Sequence, residues 1–176
     1  MLTMVGLPDR GEAAEYYFKY IDRVTDPDIC RVLTIQRDDT SQLLNRISED
    51  ESLHRYAPEK WTIREVLGHI NDTERLVAFR AWWFARGFQN ALPSFDQNVA
   101  AAAAGAAQRT WDSHVQEFLA IRDSTISLFT GMPAEAWVRR GTASDCPFSV
   151  RALAYIAAGH VVHHVAILRE RYLNRR

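Results

Sequence analysis

Cysteine is scarce in this chain. The two thiols, Cys30 and Cys146, lie far apart and match neither a metal-ligand nor a redox spacing. No disulfide framework is expected, and both read as free thiols of a reducing compartment. An excess of charge is also missing: 21 basic residues against 22 acidic ones leave a formal net charge of −1. That balance lacks the electrostatic footprint of a nucleic-acid binder or of a protein held on an anionic membrane. The densest basic cluster, Arg169, Arg171, Arg175 and Arg176, is interrupted by Glu170 and reads as a solvated helix end. No run approaches the ~18 consecutive apolar residues of a membrane span. The opening residues, Met1 to Tyr17, have no basic start, sustained apolar run or cleavage site, so no secretory signal is expected. These absences together predict a cytoplasmic protein with neither a membrane nor a nucleic-acid partner.

What remains is an ordinary globular composition, 47% hydrophobic and 24% charged over 176 residues. That length suits one domain over residues 1–176, with about 25 less regular residues leading in. There is no internal repeat, and nothing alternates convincingly as a strand.

Four segments carry helical periodicity. The first is expected after Asp26-Pro27, with Asp26 as cap, and places Ile29, Leu33, Gln36, Thr40, Leu43 and Ile47 on one face. The second opens on a capping box, Thr62 with Glu65, with Trp61 just outside. It carries Val66, His69, Thr73 and Leu76 on one stripe and should stop at Gly87. A crossover from Phe88 to about Gln108 follows, in which the alanine run 100–104 suggests one short helix. The third helix begins near Trp111 and ends at Gly131 and Pro133, and a further loop runs to Pro147. Ser149 caps the fourth, whose stripe reads Val150, Leu153, Ala157, His160, His164 and Leu168. The fold class is therefore all-α, a four-helix bundle with a long crossover between helices 2 and 3.

Chemistry concentrates in the histidines. His160 and His164, four residues apart on one helix, project from the same face, a spacing that lets two imidazoles bind one ion. Backbone carbonyls or water would satisfy the same rings, so spacing alone leaves both readings open. His69 stands in the apolar face of another helix and would supply a third ligand if the two faces meet. His163 points about 100° off the stripe. His54 and His114 lack partners at ligand spacing and read as surface or rim residues. Asp72, near the face of His69, could orient a ring or accept a proton, or simply pair with Arg75 or Arg80. Arg80, Arg86 and Arg151 could meet an anionic substrate or be helix-face charges. Trp82 and Trp83 are adjacent and diverge, so one bundle face cannot cover both.

Several short motifs occur in a telling order. They are Tyr-Tyr-Phe-Lys-Tyr-Ile (16–21), Trp-Thr-Ile-Arg-Glu-Val-Leu-Gly-His (61–69), Asp-Thr-Glu-Arg (72–75), Phe79-Arg80 and Phe84-Ala85-Arg86-Gly87. Phe95-Asp96, Ala136-Trp137, Arg140-Gly141-Thr142 and Gly159-His160-x-x-His163-His164 complete the series. In this the chain resembles the DinB-like family of small metal-binding bundles. The resemblance implies a four-helix bundle with one divalent metal, zinc or nickel, held by His69, His160 and His164. It further implies a homodimer and a thiol S-transferase acting with bacillithiol, mycothiol or glutathione on small electrophiles. A metal-dependent hydrolase on the same site, or a non-catalytic metal or small-ligand binding module, are the alternatives. No catalytic residue beyond the metal ligands is assigned.

Overall fold

The computed structural model describes residues 5–174; Arg175 and Arg176 of the basic cluster lie outside them. A short helix α1 (Phe18–Ile21) precedes the four long ones: α2 (Ile29–Leu44), α3 (Ile63–Ala85), α5 (Trp111–Thr130) and α6 (Val150–Ile167). Between α3 and α5 the crossover carries α4 (Gln97–Ala103), as the alanine run leads one to expect.

The helix ends follow their cap chemistry. Thr62 accepts from the Glu65 N–H while the Glu65 carboxylate accepts from the Thr62 N–H, which satisfies two orphan donors at once. Ser149 accepts from the Ala152 N–H at 2.9 Å and starts α6. Gly87, at φ +83°, supplies the left-handed residue beyond the end of α3. The cap of α2 differs from expectation: it is Asp28, which accepts from the Arg31 N–H at 3.0 Å. Asp26 is spent on the Asp28 N–H at 2.9 Å, a local turn that places Pro27 before the helix rather than in it.

A second correction concerns the loop before α6. It folds as an antiparallel hairpin, β1 (Arg140–Ala143) against β2 (Cys146–Ser149), with Gly141 opposite Phe148. Ser144 and Asp145 both take positive φ, the pattern of a tight two-residue hairpin turn. Strands of four residues, one containing Pro147, are too short to show alternation, so periodicity could not find them.

Around the bundle the helices contact in the order α2, α5, α3, α6, so α3 touches both α5 and α6 while α2 lies diagonally opposite it. Successive helices α2 and α3 are thus not neighbours, and neither are α5 and α6. The segment Val150–Leu173, which ends in a π-helical turn, is long and apolar enough to cross a membrane. Here 61% of that window is buried inside the protein, because α6 forms the spine of the core.

The core is divided. One apolar cluster, with Leu33, Val77, Phe129 and Ala158, occupies the hairpin end, and another, with Leu44, Ile70, Phe118 and Val161, the opposite end. Between them every long helix contributes polar groups: Gln36 and Thr40, Glu74, Arg122 and Thr125, and His160. Arg122, fully buried, donates to both Glu74 carboxylate oxygens at 2.7 Å and to Gln36 Oε1 at 2.6 Å. Gln36 Nε2 in turn donates to the Ala158 carbonyl at 2.9 Å. A polar chain therefore crosses the bundle from α3 through α5 and α2 to α6.

Gly159 shows why a motif position is small. A Cβ there would stand 2.1 Å from the Tyr20 carbonyl oxygen and 2.5 Å from its carbon, because α1 lies directly on α6. The obstacle is backbone, which cannot rotate aside. Gly159→Ala is expected to cost about 3 kcal/mol, the upper part of the overpacking range. Urea denaturation checks this; a midpoint unchanged from wild type would contradict so close an approach.

Candidate metal centre

Three imidazoles meet where α3 and α6 face each other. The capping box sets the phase of α3 and turns His69 inward with Val66; Ser149 sets that of α6, and His160 and His164 follow one turn apart. His69 and His160 are buried and His164 is half-buried. The Nε2 atoms of His69 and His160 are 3.0 Å apart, and one donor nitrogen from each of the three lies within 4.8 Å of the others. The centroids of the His164 ring and its two neighbours are separated by 4.8 and 4.4 Å.

Burial sets the protonation state. It pushes His69 down to about 4, with His163 adding to the effect. His164 falls to about 3, through burial first and then the nearby His69, His163 and Lys19. His160 is driven well below its ordinary value by burial and by the His164 and His69 rings. Three imidazolium ions could not share this space, so the rings are neutral and each keeps a lone pair. The folding consequence has a definite sign. The unfolded chain binds protons below about pH 6.5 while the folded rings stay neutral, so stability is full above that pH and is lost as pH falls toward the folded values. On the order of 1–2 kcal/mol for each of His69 and His164 should disappear from metal-free protein between pH 7 and 5, with His160 acting in the same direction. Denaturation midpoints at the two pH values test this, and a midpoint independent of pH would contradict it.

The donor set fits a divalent cation. Tetrahedral coordination at 2.0–2.1 Å separates nitrogen donors by about 3.4 Å, a spacing bracketed by the 3.0 and 4.8 Å found here. Neighbouring groups fix the rings. The Thr73 hydroxyl lies 3.5 Å from His69 Nδ1, Trp61 packs beside the His69 ring at 5.0 Å, and Tyr20 packs edge-on against His160 at 5.4 Å. Among the described residues three donors converge, which would leave an ion open to substrate.

Two cavities flank the triad. One of about 200 Å³ is lined by His69, His160, Thr73, Tyr20, Phe95 and, at its far end, Arg80. The other, of about 290 Å³, is lined by His164, Trp61, Tyr56 and Tyr172. Gln97, the first residue of α4, lines both. The crossover therefore reaches both cavities beside the triad.

Other candidates separate from this centre. His163 lies off the ligand stripe, its ring packed edge-on between Tyr20 at 5.5 Å and His164 at 5.0 Å, and its nitrogens are not among the clustered donors. His114 is a correction: it is buried rather than at the surface, with its Nε2 2.9 Å from the Ala106 carbonyl oxygen. The hydrogen bond to the crossover backbone lets it occupy the core. Half-exposed Asp72 lines a different cavity with Arg109 and His114, and pairs with Arg75. Thr73, one residue on, is the neighbour that reaches His69. Arg151 is bound to Glu12. Trp83 is covered by Phe88, stacked at 4.2 Å, and donates to the Asn90 carbonyl, whereas Phe79, Trp82 and Phe88 stay exposed.

These features define a class: a four-helix bundle with a largely buried histidine triad between its second and last long helices. The chain belongs to the DinB superfamily, whose family model matches residues 33–168. Among solved structures it is similar to YfiT from Bacillus subtilis, described as a probable metal-dependent hydrolase with an unusual four-helix bundle topology. The TM-score is 0.72 at 12% identity, over 84% of this chain and 87% of that one, a likeness of fold. No curated protein sequence matches.

Proposed function

We propose that the protein is a metal-dependent enzyme with one zinc or nickel ion on His69, His160 and His164, and that it transfers a small-molecule thiol to an electrophile. The observation that carries the reading is the convergence of three neutral imidazoles between two cavities. A divalent ion there would act as a Lewis acid, bringing a thiol or a water toward its anionic form near neutral pH. The chain's own groups do the rest. Trp61 and Tyr20 shield the rings, Thr73 orients His69, and the two cavities can admit two reactants to opposite sides of one centre. Net transfer joins thiol sulfur to the electrophilic carbon; the leaving group departs with its bonding pair and the thiol proton goes to solvent. The description of YfiT as a metal-dependent hydrolase favours the second reading, in which water replaces the thiol.

Metal analysis of protein purified without an affinity metal column should return about one ion per chain; none would end the enzyme reading. Loaded protein should then consume glutathione, bacillithiol or mycothiol with 1-chloro-2,4-dinitrobenzene faster than a chelated control. Turnover of p-nitrophenyl acetate without any thiol requirement would favour hydrolysis, and metal binding without turnover in either assay a binding module. A cytoplasmic setting with small molecules as the partners, and neither membrane nor nucleic acid among them, agrees with the balanced charge and the two free thiols. We also propose a homodimer, supported by the exposed Phe79, Trp82 and Phe88. Light scattering returning only the 20.1 kDa chain mass at micromolar concentration would rule it out.

A further inference from the structure

Three arginines are buried among the described residues: Arg64, Arg80 and Arg122. Arg64 pairs with Glu49 and Arg122 with Glu74. Arg80 has no carboxylate. Its Nη2 donates to the Pro93 carbonyl and the Ser144 hydroxyl, each at 2.8 Å, and its Nε is buried without a partner. Those two bonds tie α3 to the crossover and the hairpin, which gives Arg80 a structural use. They do not neutralise it. A buried guanidinium without a counter-ion is costly and rare unless something supplies the missing charge.

Arg80 lines the same cavity as His69 and His160. On α3 it follows His69 by eleven residues, so the two Cα atoms are about 16 Å apart along the helix. Thr73, Leu76 and Val77 line the stretch between them, with Phe95 and Ile156 among the other walls. The cavity thus has a polar reacting end, an apolar middle and a single unpaired cation at the other end. Lys19, the other nearby cation, is engaged over the Tyr16 ring at 3.6 Å.

We infer that Arg80 is a specificity determinant that binds the carboxylate of a small substrate whose apolar body lies along α3 and whose reacting group reaches the histidine triad. One guanidinium with unused donors matches a monoanion, and its planar fork suits a carboxylate. The volume of about 200 Å³ limits the ligand to a small metabolite and excludes a peptide. This rests on the triad as the reacting centre, and its test is separable from that reading.

The probes are 3-phenylpropionate and its neutral amide, titrated calorimetrically into wild-type protein, Arg80→Gln and His164→Ala. The acid should bind wild type about tenfold tighter than the amide, as a charge-assisted hydrogen bond predicts. Arg80→Gln should bring the two within about twofold, and His164→Ala should keep the wild-type preference. Equal binding of acid and amide to wild type would overturn the inference without any variant, and so would the absence of saturable binding by either. A preference that survives Arg80→Gln, or that vanishes in His164→Ala, would place the carboxylate elsewhere and overturn it too. Absence of metal from the purified protein would end the enzyme reading but leave the acid preference intact; loss of that preference with metal present would end only this inference.

Discussion

His164→Ala is expected to abolish metal binding while leaving a folded bundle. The remaining two imidazoles, 3.0 Å apart at Nε2, cannot hold an ion already open to solvent and substrate. Loss of one of three protein ligands should weaken affinity far more than the 10–100-fold typical of losing an outer-shell partner. Any transferase or hydrolase activity should go with the ion, the nucleophile activator on which the proposed function rests. The fold should survive because two apolar clusters pack without the triad. Half-buried His164 borders a cavity, so water can occupy the truncated volume. The metal-free variant should lose about 1–3 kcal/mol relative to metal-free wild type. His163→Ala is the control and should retain the ion, since its ring touches His164 but its nitrogens lie outside the cluster of three donors. Metal analysis with circular dichroism reads both outcomes. If His163→Ala lost the ion and His164→Ala kept it, the ligand assignment would be wrong; if His164→Ala unfolded, the site would be structural.

The largest stability effect should come from the polar chain across the core. Glu74→Ala is expected to cost about 3–5 kcal/mol, because it leaves the Arg122 guanidinium buried and uncompensated. For a domain of this size that lowers Tm by roughly 10 °C or more. The paired replacement Glu74→Met with Arg122→Met should recover most of the loss, since desolvating the ion pair offsets much of its attraction. Thermal unfolding of the single and double variants decides it. Equal destabilisation of both would show that this pair is held for net attraction rather than tolerated as a matched set. Gln36 links the same pair to the Ala158 carbonyl, two residues before His160. Glu74→Ala should therefore also weaken metal binding, whereas a purely local defect would leave affinity unchanged.

Much of this was legible in one dimension. Helix starts were readable where a cap has short-range chemistry, as at Thr62 with Glu65 and at Ser149. The cap of α2 was misplaced because Asp26 and Asp28 both suit the role, and only the backbone turn through Pro27 chooses between them. His160 and His164 were readable as a pair because helical pitch fixes their relation. The hairpin was not, since four-residue strands carry no periodicity and its turn depends on two positive φ angles at Ser144 and Asp145. His114 was misjudged because its partner is a main-chain carbonyl, which no side-chain pattern announces.

The sequence by itself determined which residues share a helix face, because pitch and capping act over a few residues. The four helices, the histidine stripe on α6 and the inward phase of His69 all follow from that. Only the tertiary structure decided which faces meet. The ring order that seats α3 beside α6, and α2 diagonally across from α3, depends on packing between segments far apart in the chain. That choice brings His69 to His160 and His164, matches Arg122 with Glu74, and leaves Arg80 without a carboxylate beside the cavity. Charge pairing and metal coordination act between atoms a few ångströms apart, so their partners exist only once distant segments have packed.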